Sequence, residues 1–274
     1  MKPTVAVVDI DSFANAIDII GNIEHLKKPS KQVVIKVGVY DPKSSNCTTP
    51  KIVDAITSYF ESASKILIAE SDSSAGLGLE RLEIWNDCYN DTVVPFNLSD
   101  DDKTGEVEVM GEIIPFSHVL LEPNTFISTH IPRRYKDAGK SMAMNLGSII
   151  KNLLGLILDT KKVRFHKDLP NALLDLYEAA GGIDLAVIDG TNVYLGYKKK
   201  CITVTPNILI VGTDAFATEA VGLHLVGFDP LENLVLQGAR DRGLGEIDLA
   251  KINIIGDIET PRKMVLEAFE NLCQ

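Results

Sequence analysis

The chain has 274 residues, 45% of them hydrophobic and 24% charged, values of a packed globular protein that exclude small disulfide scaffolds, fibrous repeats and intrinsic disorder. Thirty-eight acidic against 27 basic residues give a formal charge of −11. The molecule as a whole therefore repels nucleic acid and anionic membrane, and any anion it binds must meet a local basic patch.

The first apolar run, VAVV in MKPTVAVVDIDSF, is followed at once by Asp9 and Asp11, which reads as a β-strand and not as a signal peptide. Further β-branched runs lie at 32–40, 65–71, 92–98, 125–129, 183–190, 207–214 and 251–257. Most are continuously apolar, the pattern of parallel strands buried on both faces. Helical patterns intervene at 12–27, 50–62, 78–88, 141–154, 168–180, 215–226, 230–242 and 259–272. The fold class is α/β, a mostly parallel sheet flanked by helices. Residues 100–122, with glycines at 105 and 111 between short alternating runs, predict a β-hairpin inserted at the sheet edge. The chain reads as one α/β domain over 1–274, or as two lobes meeting near 120–165.

The strongest apolar stretch, LLGLIL at 153–158, is bounded by Lys151 and Asp159, far short of the 18 or more apolar residues that span a bilayer. No membrane partner is expected. Cys47, Cys88, Cys201 and Cys273 form no C-x-x-C pair, so neither a zinc knuckle nor an iron–sulfur cluster is encoded locally, no metal ligand set is assigned, and a reduced cytoplasmic setting is expected.

Between Ile131 and Lys167 lie nine basic residues, Arg133, Arg134, Lys136, Lys140, Lys151, Lys161, Lys162, Arg164 and Lys167, against Asp137 and Asp159 alone. This concentration of positive charge in an acidic chain predicts an anion site. Only Tyr135 and Phe165 interleave it as stacking platforms, so nucleic acid is disfavoured and a small phosphorylated or carboxylated molecule fits better.

In open parallel sheets ligands bind at the carboxyl ends of the strands. Lys36 stands inside an apolar strand, costly to bury unless it is paired or reaches a ligand. Glu70 precedes the small-residue loop SDSSAGLG, where Gly76 and Gly78 give G-x-G but Arg81 replaces the third glycine of a dinucleotide fingerprint. Lys151 and Gly155 fit the end of a 141–154 helix, Asn152 and His166 can orient an oxyanion or move a proton, Asp189 ends a buried strand, and Asp214 serves equally as a helix cap.

The series IKVGV, TTPKIVDAI, KILIAESDSSAG, SIIKNLLG with a basic run ending in His166, LAVIDG, VGTDAFATEAVG and ARDRGLGEID resembles the domain-of-unknown-function family 362 (DUF362). The resemblance implies redox and cofactor metabolism, often with ferredoxin-like cluster segments, which this chain lacks. It also departs from the family in THIPRRYKDAGKSM, where Arg133 and Arg134 follow Pro132 and the expected histidine is missing unless His130 replaces it.

Two functions follow. The first is an enzyme acting on a small anionic substrate or cofactor, with His166 or Lys36 as acid/base, Glu70 and Asp189 orienting, and Arg133, Arg134, Lys151, Asn152 and Asp214 binding. The second is a noncatalytic carrier or assembly protein holding a metal or anionic cofactor for a redox partner, with His118, His130 and His166 converging in space. The cofactor itself is not specified.

Overall fold

The computed structural model describes residues 2–21, 23–27, 32–41, 46–135, 148–197 and 200–273. Its strands are β1 (Thr4–Asp9), β2 (Gln32–Val37), β3 (Val39–Asp41), β4 (Asn46–Cys47), β5 (Ile66–Glu70), β6 (Val93–Asn97), β7 (Thr104–Val109), β8 (Glu112–Ser117), β9 (Asn124–His130), β10 (Arg133–Arg134), β11 (Leu185–Gly190), β12 (Val193–Tyr197), β13 (Lys200–Val204), β14 (Ile208–Gly212) and β15 (Asn253–Ile255). The helices are α1 (Phe13–Ile20), α2 (Pro50–Tyr59), α3 (Gly78–Leu82), α4 (His118–Leu121), α5 (Leu169–Ala179), α6 (Ala215–Leu225), α7 (Leu234–Asp241) and α8 (Glu259–Cys273).

One eight-stranded sheet in the order β15-β1-β14-β11-β9-β2-β5-β6 organises the chain. Only β14 runs against its neighbours, β1 and β11. The other pairings are parallel, so β2, β5, β9 and β11 deliver their carboxyl ends to one edge. The fold class is α/β, as the apolar runs require, because both faces are covered. Val34, Leu67, Phe126 and Ala186 pack toward α5, α6 and residues 149–157, while Ile35, Ile68, Ile127 and Val187 pack toward α1 and α2. Burying each of the valine, leucine, isoleucine and phenylalanine side chains among these stabilises the sheet by about 1.5–3 kcal/mol. No helix among the described residues is long and apolar enough to cross a membrane.

Three local expectations change. The 104–117 hairpin forms, turning at Met110 and Gly111 with φ of 53° and 76°, but it is a separate two-stranded sheet and not an edge addition. It packs on α5, where the Met110 N–H donates to Asp175 at 2.8 Å, and the edge strand β6 carries Pro95, which lacks a ladder donor. Of the helix expected at 141–154, residues 141–147 lie outside the described residues, and Lys151–Leu156 is a 3-10 helix. Lys151 therefore opens a tight turn instead of ending an α-helix, and Gly155 is interior to it. Finally, β10, β12 and β13 form a three-stranded sheet absent from the sequence reading. Pairing of Arg133 with Tyr194 and of Arg134 with Leu195 anchors the chain as it leaves β9.

Candidate functional site

The floor of the site is built where β2 and β5 end side by side. Lys36, 1% exposed, places Nζ 2.7 Å from Glu70 Oε2, 3.0 Å from Asn152 Oδ1 and 2.8 Å from the Val37 carbonyl. An ammonium has three donors, and these three acceptors use them all. Burial lowers the Lys36 pKa, Glu70 opposes that shift, and Arg81 adds to it. Asn152 in turn donates to the carbonyls of Lys36 at 2.9 Å and Thr129 at 3.3 Å, clasping the ends of β2 and β9. Gly155 lies over the pair: a Cβ there would fall 2.6 Å from Lys36 Cε and 2.7 Å from Nζ, closer than atoms can sit, so any larger residue must displace the Lys36 side chain.

Glu70 is shared. Its Oε1 accepts from Arg81 Nη1 at 3.1 Å, and Arg81 also donates to the carbonyls of Val39 and Ser71. Arg81 Nε is buried without a hydrogen-bond partner. Lys162 donates to Ser71 Oγ, which donates to the Gly155 carbonyl. Burial pushes the Lys162 pKa down to about 8, with Glu70 opposing.

Above this floor opens a cleft of about 410 Å3. Glu70, Arg81, His130, Arg133, Tyr135, Lys151, Asn152, Lys162 and His166 line it together with apolar Val39, Leu154 and Val163, the last 73% exposed. Lys151 Nζ stands over the Tyr135 ring, 5.5 Å from its centre, and burial with Arg133 pushes its pKa down to about 7. At neutral pH it is therefore divided between ammonium and amine. His166, at the exposed rim, is shifted down by burial and by Lys151, which leaves it largely unprotonated and able to accept a proton.

The electrostatic balance is lopsided. Among the described residues, Lys36, Arg81, Arg133, Lys151 and Lys162 line or underlie the cleft, against Glu70 and, across a small void from Arg133, Glu219. Glu219 accepts from Ser148 Oγ at 2.8 Å and the Ile150 N–H at 3.1 Å, and burial raises its pKa. Two hollows of similar volume elsewhere are unlike this one. That between β7 and α5 is bordered by Glu108, Asp175 and Glu178, whose last two carboxylates pair with Arg242; the other is bordered by Glu122, Glu178 and Asp184.

The structure thus gathers Lys36, Glu70, Arg133, Lys151, Asn152 and His166, and leaves three other sequence candidates out. Arg134 turns to the far side of its strand, donating to the Val226 carbonyl at 2.7 Å and stacking on Phe228 and Phe269. Asp189 shares the sheet edge but belongs to the opposite face, where it accepts from the N–H and hydroxyl of Thr49 at 2.6 and 2.7 Å and from the Thr191 N–H at 2.9 Å, tying β11 to the start of α2. Asp214 caps α6 through the N–H groups of Phe216 and Ala217 and accepts from Glu246. Lys136 and Lys140 lie outside the described residues. The three histidines do not converge, because the hairpin carries His118 to Asp101, 2.7 Å away, while His130 and His166 line the cleft. Among the described residues no three His, Cys, Asp or Glu side chains are grouped to hold a metal. Sequence reading missed Arg81, treated there only as a missing glycine, and Lys162, one of nine cations; their positions depend on Glu70 and Ser71, which no local pattern announces.

A family model described as Domain of unknown function (DUF362) matches residues 33–224, 192 of the 274 residues. The range takes in every cleft residue named above, and the ARDRGLGEID segment falls beyond it. No curated protein matches the chain.

Proposed function

The chain belongs to the DUF362 family, a name that carries no activity, and on the chemistry of its cleft we propose that it is an enzyme acting on a small phosphorylated or carboxylated molecule. The observation that supports this most is the surplus of basic groups about Glu70: among the described residues, five basic side chains line the cleft or its floor against Glu70, with Glu219 beyond a small void next to Arg133. Like charges gathered in one cleft repel, at about 4 kcal/mol for a pair 4 Å apart in an effective dielectric near 20, and an anion relieves that repulsion. Arg81, Arg133, Lys151 and Lys162 receive the negative charge. Lys36 holds the floor with Glu70 and Asn152 and does not itself touch the ligand, since its donors are already taken. His166 and Lys151 carry the proton traffic, one unprotonated at neutral pH and the other poised between its two forms.

Thermal melts with inorganic phosphate, pyrophosphate and citrate at matched ionic strength test the reading. An anion present at 100 times its dissociation constant adds about 2.7 kcal/mol, and that gain should disappear in Arg133→Met and Lys151→Met. Equal melting temperatures in all three anions and in sodium chloride would contradict it. A carrier that binds the same anions without chemistry is separated from the enzyme by His166→Gln, which leaves binding intact in both cases and abolishes turnover only in an enzyme.

A further inference from the structure

His130 ends β9 at the back of the cleft, 3% exposed, and its ring is fixed from two sides. The Ile131 N–H donates to Nδ1 at 2.8 Å. A nitrogen that accepts a backbone N–H carries no proton itself, so the neutral ring holds its proton on Nε2, and a second proton on Nδ1 would break that bond. Gly38 closes the other side: a Cβ there would meet Cγ, Cδ2 and Nδ1 of His130 at 2.1 to 2.5 Å. The inner half of the imidazole thus rests on bare backbone, and the outer edge, Cε1 and Nε2, is the part left for the cleft that His130 lines. Three cations surround it from three elements, Lys36 on β2, Arg133 on β10 and Lys151 on the 3-10 helix, and with burial they hold the ring neutral.

We infer that His130 is a positioning residue of the cleft, an uncharged Nε2–H donor aimed at an oxygen of the bound molecule and taking no part in proton transfer. The inference rests on the anion-site reading and adds to it a distinction between the two imidazoles. His166 at the rim exchanges protons, whereas His130 at the back keeps its one proton and fixes where a phosphoryl or carboxyl oxygen sits. A neutral donor suits a site already crowded with cations, because it adds direction without adding repulsion.

The test uses the full chain with nitrogen-15 in its five histidines, His130 being assigned by the signal lost in His130→Gln. The expected spectrum shows His130 protonated on Nε2, unprotonated on Nδ1 and unchanged between pH 5.5 and 8.5, and titration with inorganic pyrophosphate moves the Nε2 resonance. His130→Gln, which keeps an N–H donor, should bind pyrophosphate within about threefold of wild type, and His130→Phe should bind about tenfold more weakly, the worth of one hydrogen bond. An Nδ1–H tautomer, a His130 that titrates in that range, or an Nε2 signal unmoved while the wild type binds pyrophosphate would overturn the inference and leave the anion site standing. If the wild type binds no pyrophosphate at all, both fall together.

Discussion

Lys36 and Glu70 meet at 2.7 Å at the ends of adjacent parallel strands, both nearly without solvent contact. Among the described residues Glu70 is the only carboxylate paired with Lys36 and Arg81, so the two members of the pair are not equivalent. Glu70→Gln strands two buried cations and should cost about 3–5 kcal/mol of unfolding free energy. Lys36→Met leaves Glu70 paired with Arg81 and should cost less, about 1–3 kcal/mol for the acceptors it abandons. Urea denaturation of both variants checks the asymmetry, and equal costs would mean that Arg81 does not support Glu70.

Gly155→Ala places a methyl group into the Lys36 side chain. Overpacking of this kind costs about 1–3 kcal/mol, and here the strain falls on the floor of the cleft, so anion binding should weaken as well. A variant of wild-type stability would show that Lys36 can withdraw from Glu70 at little expense.

Asp214→Ala removes a cap that accepts from two N–H groups of α6. It should lower stability by about 0.5–2 kcal/mol and leave anion affinity unchanged, since Asp214 is not among the cleft residues. A change in affinity measured by calorimetry would return Asp214 to the site.

The contrast between Asp214 and Lys36 shows how much of the molecule is legible in its sequence. Continuous apolar runs mark most strands of the main sheet, because burial on both faces leaves little other pattern, and the parallel arrangement then sends Lys36 and Glu70 to one edge. What stays hidden is decided by partners distant in the chain. Asp189 and Glu70 look alike as acids ending buried strands, yet Thr49 claims one while Lys36 and Arg81 hold the other beneath the cleft. The β12–β13 pair escapes notice because the lysines of the sequence YKKKC at 197–201 interrupt the alternation on either side. Arg134, next to Arg133 in sequence, points away because neighbouring residues of a strand face opposite sides.

Proton linkage gives a further outcome. The Lys151 pKa is about 7 in the folded protein, against about 10.4 in an unfolded chain. Between those values the unfolded state binds more protons than the native state, so this lysine makes stability rise with pH across that window and fall as pH drops toward 7. Lys151→Met should flatten the slope between pH 7 and 10 relative to wild type, which isolates Lys151 from cysteines and tyrosines titrating in the same range. Parallel stability curves for the two proteins would place Lys151 in water.

The measurement that bears most directly on the anion site is calorimetric titration of pyrophosphate into wild type and Lys151→Met at pH 7, paired with the apo melting temperature of each. Because the cleft concentrates like charges, removing one cation should leave the apo protein as stable or more stable while weakening pyrophosphate by about 1.5–3 kcal/mol, the worth of a hydrogen bond to a charged group. A variant that loses stability and binds pyrophosphate as the wild type does would contradict the account, and would make Lys151 a structural charge of its 3-10 turn.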